Sequence, residues 1–162
     1  DFVIAYASKD EAIDEDQSIV IGRDRLVPVC KPDQDGHPIF SFENEKPPVP
    51  ILRFGDEAPI GRLLEPIYKE IGKKRSLDSA YENSMAGALL MRAREGMGVA
   101  WLPESLIEAD LTRGSLVRTG SNAWTVTLDI RLHRNTEYSN HLTRSIWAFL
   151  KDRHSALPSV VA

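Results

Sequence analysis

Cysteine is nearly missing from this sequence. Cys30 stands alone in 162 residues, so no internal disulfide can form, and four scattered histidines cannot complete a cysteine-based zinc cluster with it. No His-Glu-x-x-His grouping occurs either, and His141 with Glu137 is the one helical i,i+4 imidazole–acid pair. No metal site and no cofactor are expected. Long apolar runs are missing too: nothing approaches the roughly 20 residues that cross a bilayer. Asp1-Phe2-Val3-Ile4 has neither the basic start nor the small-residue cleavage site of a signal peptide. No membrane association is expected, and the setting implied is a reducing cytoplasm. Positive charge is not in surplus: 20 Lys+Arg against 24 Asp+Glu leave −4, so the chain by itself is not expected to hold DNA through counterion release. What is present is core material, 42% apolar residues, enough for one ordinary domain or two small lobes.

Strand and helix patterns alternate along the chain. Phe2 to Ala7 is a nearly unbroken apolar run, as in a strand buried on both faces of a parallel sheet. After an acidic loop from Asp10 to Asp16, Ile19–Ile21 and Arg25–Cys30 read as two strands about the turn Gly22-Arg23-Asp24. Lys31 to Pro50 reads as a long surface connection. Pro50–Phe54 reads as a strand, and a turn then opens a helix carrying Leu63, Leu64, Ile67, Tyr68 and Ile71, in which Pro66 predicts a kink or a late start. Leu77–Glu82 is a further strand, and Asn83 or Ser84 then caps a helix that stops at Gly96-Met97-Gly98. Val99–Leu102 is a short buried strand ended by Pro103, and Glu104–Leu111 a short helix ending near Gly114. The alternation Trp124, Val126, Leu128, Ile130, Leu132 predicts a long strand whose other face, with Asp129 and Arg131, is wetter. The last helix, about Ser139 to Arg153, has Leu142, Ile146, Phe149 and Leu150 as its core stripe with Trp147 beside it. Such alternation means α/β with a largely parallel sheet, where ligands bind beyond strand ends and at helix starts.

Few residues offer chemistry. Ser84 lies between a strand and a helix, the place of a hydrolase elbow, but Glu82 and Ala86 stand where that turn needs glycine. An N-cap role is the simpler reading, and the free N–H groups of this helix start also suit a carboxylate or another small anion. No catalytic residue is expected. Gly96-Met97-Gly98 lacks the third glycine and the Lys-Ser/Thr of a phosphate loop and reads as a tight turn. Cys30 is either an inert core thiol or, beside Lys31, a reactive one. Arg53 and Arg62 flank a turn and can pair with an anion or stand as ordinary surface arginines.

At Arg25-Leu26-Val27-Pro28-Val29-Cys30 to His37-Pro38, and more specifically at Ser84 through Pro103 (SMAGALLMRAREGMGVAWLP), the chain resembles the effector-binding domain of LysR-type transcriptional regulators. Arg113-Gly114-Ser115-Leu116-Val117, the strand from Trp124 to Arg134 and a closing helix with Trp147-Ala148-Phe149-Leu150 match the family's later elements. Within the family the chain is most similar to the branch of the hypochlorite-responsive regulator and the LysR symbiosis regulator, both linked to oxidative-stress responses. The resemblance implies a two-lobed, type 2 periplasmic-binding-protein-like fold. Lobe I would take residues 1–22 and 120–162 and be incomplete on its N-terminal side, and lobe II would take 23–119. It further implies an effector cleft, lined by Phe54, Gly55, Asp56, Ile60, Asn83, Ser84, Met85, Gly98, Val99 and Ala100, that takes a small anionic metabolite such as a carboxylate. A homodimer or tetramer is implied, with DNA contacted through a winged helix-turn-helix absent from this chain. The alternative on the same fold is oxidant sensing through Cys30 or Met85.

Overall fold

The computed structural model describes residues 2–9, 11, 12, 14, 16–43, 47–135 and 140–156. In chain order the elements are β1 (Phe2–Ser8), β2 (Ser18–Cys30), β3 (Val49–Arg53), α1 (Pro59–Gly72), β4 (Leu77–Glu82), α2 (Ala86–Arg94), β5 (Val99–Pro103), α3 (Glu104–Arg113), β6 (Val117–Arg118), β7 (Val126–Arg134) and α4 (His141–Ala156), with a 3-10 turn at Asn122–Trp124 before β7. Contacts divide the chain into two compact units, Asp1–Arg23 with Leu128–Ala162, and Asp24–Thr127.

In the first unit β7 lies between β1 and the opening part of β2. Ile19, Leu132 and Trp147 form its core with Phe2 and Leu150 packed against them. Phe2 stacks on the Trp147 ring at 6.1 Å, and the Arg134 guanidinium lies 5.0 Å over the same ring. Three expectations fail here. The apolar run of β1 is not buried on both faces: it pairs antiparallel with β7 and, among the described residues, with no other strand, leaving Val3 and Ile4 62% and 65% exposed. The second face of β7 is wet only toward its ends, at Thr127 and in part at His133. Asp129 and Arg131 are buried because Arg131 donates to the carbonyls of Ser8 (2.9 Å), Glu11 (2.8 Å) and Ala12 (3.4 Å), drawing the segment after β1 over that face. In α4, among the residues whose side chains are described, Thr143 and Trp147 are buried, while Leu142, Ile146 and Phe149 are exposed. The sheet-facing stripe therefore runs through Thr143, Trp147 and Leu150, one position on from the expected one. This helix is capped by Asn140, whose Oδ1 accepts from the Thr143 N–H at 2.9 Å. The expected start at Ser139, the Glu137 partner of His141 and the end of the tail lie outside the described residues.

In the second unit the closing part of β2 is followed in hydrogen-bonding order by β5, β3 and β4, and β6 pairs with β2. The sheet is mixed rather than largely parallel. β3 pairs in parallel with β4 and β5, whereas β5 and β6 run antiparallel to β2. The physical reason is connection length: the helical crossovers α1 and α2 return the chain in the same direction, and these are the parallel strands. β2 is also one strand and not two. Its polar middle finds partners where it lies, Arg23 on Asp129 at 3.5 Å in the first unit and Asp24 on Ser105 in the second. The Asp24 carboxylate accepts from the Ser105 hydroxyl at 2.5 Å and from its N–H at 3.3 Å, capping α3 from another strand.

Trp101 anchors this core. It is wholly buried, donates Nε1–H to the Trp124 carbonyl at 2.9 Å and meets Tyr68 edge-on at 5.2 Å. Phe42, from the long connection after β2, packs between Trp101 and Trp124. That connection is thus tied to the core at one aromatic. Pro66 lies inside α1, which nonetheless starts at Pro59, where a missing N–H costs nothing. The turn at Gly96-Met97-Gly98 joins α2 to β5 with Gly96 at φ +81°.

Candidate functional site

β3 and β4 are parallel neighbours, so the turns that follow them, 54–58 into α1 and 83–85 into α2, emerge at the same end of the sheet. The ladder continues between the turns through the Asn83 N–H, which donates to the Arg53 carbonyl at 3.1 Å. Gly55 and Ser84 face one another: a Cβ on Gly55 would stand 3.1 Å from Ser84 Oγ and 3.4 Å from Glu82 Oε1. The first turn of α1 is pressed onto the same backbone, since a Cβ on Gly61 would lie 2.6 Å from the Gly55 carbonyl oxygen.

The helix start of α2 differs from the cap expected of it. Met85 is its N-cap residue, with extended backbone and no side-chain cap. Asn83 Oδ1 accepts from the Met85 N–H at 2.9 Å, and Asn83 Nδ2 donates to the Tyr81 hydroxyl at 3.1 Å, so the asparagine braces the turn. The Ser84 hydroxyl makes no hydrogen bond among the described residues, and the N–H groups of Ala86 and Gly87 are the first two of a helix, which have no partner within it. A helix start attracts negative charge. Three exposed carboxylates, Asp56, Glu57 and Glu82, surround the same turns. The surface is dipolar: donors to receive an acceptor group, carboxylates to receive a cation or a donor. In the sequence Glu82 reads only as a misfit to a hydrolase elbow, and its place beside Gly55 has no local signal.

The ten residues expected to line a cleft do not all gather. Asp56, Ser84 and Met85 are exposed and Asn83 partly so, while Phe54, Gly55 and Ile60 are buried beneath them. Gly98, Val99 and Ala100 lie elsewhere, at the start of β5 beside Pro50, Ile51 and Leu52, and the side chains of Val99 and Ala100 are wholly buried. Gly98 is required there by close approach, since a Cβ would stand 2.7 Å from the Pro50 carbonyl oxygen. Of the two flanking arginines Arg53 is committed elsewhere, its guanidinium paired with Glu65 and 4.7 Å over the Tyr68 ring, while Arg62 is exposed. Burial pushes the Tyr68 phenol above its ordinary range.

Of the two groups considered for oxidant chemistry, Cys30 is wholly buried. Burial pushes its thiol up, against the lesser downward pull of backbone hydrogen bonding at Phe40 and Ile39, and Sγ also donates to the Phe40 carbonyl at 3.9 Å. These are the properties of an unreactive thiol. Met85 is 70% exposed. Among the described residues there is no group of three or more His, Cys, Asp or Glu that could hold a metal ion, and no helix is long and apolar enough to cross a membrane.

Comparison with known proteins agrees with this architecture. The transcriptional regulator YjiE of Escherichia coli K12 and the HTH domain-truncated regulator QseD of Escherichia coli O157:H7 are each 26% identical over 128 residues, 79% of this chain. These residues make up 41% of the former and 52% of the latter, so the chain spans about half the length of the curated relatives it matches. The apo regulatory domain of HypT from Salmonella typhimurium superimposes with a TM-score of 0.79 at 26% identity, over 97% of this chain and 74% of that one. Full-length HypT, described as a hypochlorite-specific LysR-type transcriptional regulator, gives 0.80 at 25% identity, over 97% and 53%. The family model described as the LysR substrate binding domain matches residues 1–155, and this chain belongs to that family.

Proposed function

We propose that this chain senses a small metabolite carrying a carboxylate, held at the paired turns 54–58 and 83–85, and passes its binding to the arrangement of a homo-oligomer and so to DNA through a domain outside it. The observation that supports this is the convergence of Gly55 on Ser84 at an uncapped helix start. The metabolite's carboxylate would accept from the Ser84 hydroxyl and the N–H groups of Ala86 and Gly87, as anions do at helix starts. Glu82 and Asp56 then favour a ligand that also carries a donor or a positive charge. Membership of a family of effector-binding domains makes the ligand's role a switch, not a reaction. A ligand shifts such a switch only by its differential affinity for the two arrangements. In this reading the two units are the two lobes, and the effector belongs to the cytoplasm.

The test is a thermal-shift titration of the chain with a panel of small carboxylates, amino acids among them. A ligand at one hundred times its dissociation constant adds about 2.7 kcal/mol of stability, a saturable rise in melting temperature that Ser84→Trp should abolish by filling the space before Gly55. If no member of the panel gives a saturable rise, or if Ser84→Trp leaves the rise intact, this placement is wrong.

A second reading, favoured by the exposure of Met85, keeps the surface and changes the signal to oxidation of that thioether. Met85→Ile should then remove an oxidant-dependent change in oligomeric state while leaving the melting temperature alone. An equal response in Met85→Ile and the parent would dispose of it.

A further inference from the structure

A groove of about 600 Å³ on the second unit shares no residue with the paired turns. Its walls come from three places: Lys31 and Asp33 just after β2, Arg94 in the last turn of α2, and Asp110, Arg113 and Ser115 at the end of α3. Both carboxylates in it are already committed. Asp110 takes Arg94 Nε on Oδ1 and Arg94 Nη2 on Oδ2, each at 2.7 Å, and the Ser115 hydroxyl on Oδ1 at 2.7 Å. Asp33 Oδ1 accepts from the N–H groups of Asp35 and His37, each at 2.9 Å, so it serves the turn of its own loop. Of the three cations only Arg94 is ion-paired, and Arg113 acts on Asp110 from farther off. Among the described residues neither Lys31 nor Arg113 stands within ion-pair distance of a carboxylate. The stem of Lys31 is laid along the α2–β5 turn, where a Cβ on Gly96 would come 3.2 Å from its Cδ. Its ammonium is thereby supported at the groove and not left to sweep through solvent.

A concave surface whose acids are internally satisfied and whose remaining charges are an ammonium and a guanidinium matches a small anion with several oxygens: the guanidinium fork binds two of them and the ammonium a third. The geometry points to this groove as a binding site for a small, multiply charged oxyanion, separate from the proposed effector site and independent of it. Inorganic phosphate is the simplest probe, and citrate is the polycarboxylate counterpart.

The experiment is a two-dimensional amide NMR titration of the chain with sodium phosphate and, in a second arm, sodium citrate, at an ionic strength held constant with sodium chloride. The expected result is saturable shifts at Asp33, Gly114 and Ser115 with at least one of the two anions. Reversing both free charges, in Lys31→Glu with Arg113→Glu, should weaken that binding by about tenfold or more. Both side chains are exposed, so the variant should stay folded, with a melting temperature lowered modestly because Arg113 lies in the last turn of α3 and acts on Asp110. Unsaturating shifts with both anions, matching those from chloride, would overturn the proposal. So would an affinity unchanged in the double variant. Saturation at Gly55, Ser84, Ala86 and Gly87 without any at Ser115 would remove this groove while supporting the effector site.

Discussion

Asp110 shows how one side chain can fix the end of a helix and its neighbour together. It sits near the end of α3, takes a two-pronged guanidinium from the end of α2 and receives the Ser115 hydroxyl, while its own carbonyl accepts from the Ser115 and Leu116 N–H groups. The Arg94 hydrogen bonds hold its carboxyl below the usual carboxylate value of 3.8, outweighing the desolvation that would raise it. A carboxyl lowered on folding contributes stability that is fully present above its unfolded value and lost as pH falls through the folded one. Asp110→Asn should therefore be destabilised at neutral pH, and the gap to the parent should narrow as pH drops below 3.8. Urea midpoints measured from pH 7 downward check this, and a gap that stays constant into acid would contradict it. None of this was readable from the sequence, where Arg94 and Asp110 are 16 residues apart. The same holds for Arg131, an apparent surface residue on an alternating strand whose partners are carbonyls about 120 residues earlier. Polar residues betray their burial only through partners, and partners are set by the fold.

At the scale of elements, those bounded by glycine or proline were legible. The turn at Gly96-Met97-Gly98, β5 and the left-handed stop of α3 at Gly114 follow the boundaries written in the chain, and β4 matches its apolar pattern without such a marker. The helix start after β4 was legible as a place, because a strand pattern gives way there to a helical one, but its cap was not: both polar candidates precede the N-cap, and methionine occupies it. Register was less legible still. Gly98 to Ala100 were grouped with the turns after β3 and β4, yet β5 is aligned so that they stand beside the beginning and middle of β3. The close seating of α1 on the turn before it gives this scale its prediction. Gly61→Ala puts a methyl group 2.6 Å from a backbone oxygen that a side chain cannot push aside. It should cost about 2 kcal/mol through overpacking despite the better helix propensity of alanine. Chemical denaturation gives the value, and a neutral or stabilising outcome would show that α1 can lift without loss. Since Gly55 supplies that oxygen, the variant should also weaken any ligand held at Ser84.

For the whole molecule, the two-lobed α/β class was readable from the alternation of elements and the family likeness, whereas the mixed strand directions depended on which connections lack helices. The surface of the first unit also departs from what a soluble protein normally presents. Among the described residues, Val3 and Ile4 on β1 and Leu142, Ile146 and Phe149 on α4 are exposed, and β1 pairs with β7 alone. Large exposed apolar surface next to unpaired backbone favours association. The isolated chain should self-associate with concentration, and Val3→Lys combined with Phe149→Glu should reduce this without lowering the melting temperature. Light scattering over a dilution series would show it. A concentration-independent monomer in the parent would mean that this surface is tolerated as it is.

The division into units also sets an order in time. Asp24–Thr127 is one uninterrupted stretch set into the first unit, whose two parts are thereby separated by the whole of the second. On a ribosome the second unit is complete before most of β7 has emerged, so the pairing of β1 with β7 forms only after more than a hundred further residues of synthesis. The inserted unit is therefore free to fold first and bring the halves of its host together, and protection of nascent chains from protease should appear within 24–127 before it appears in β1.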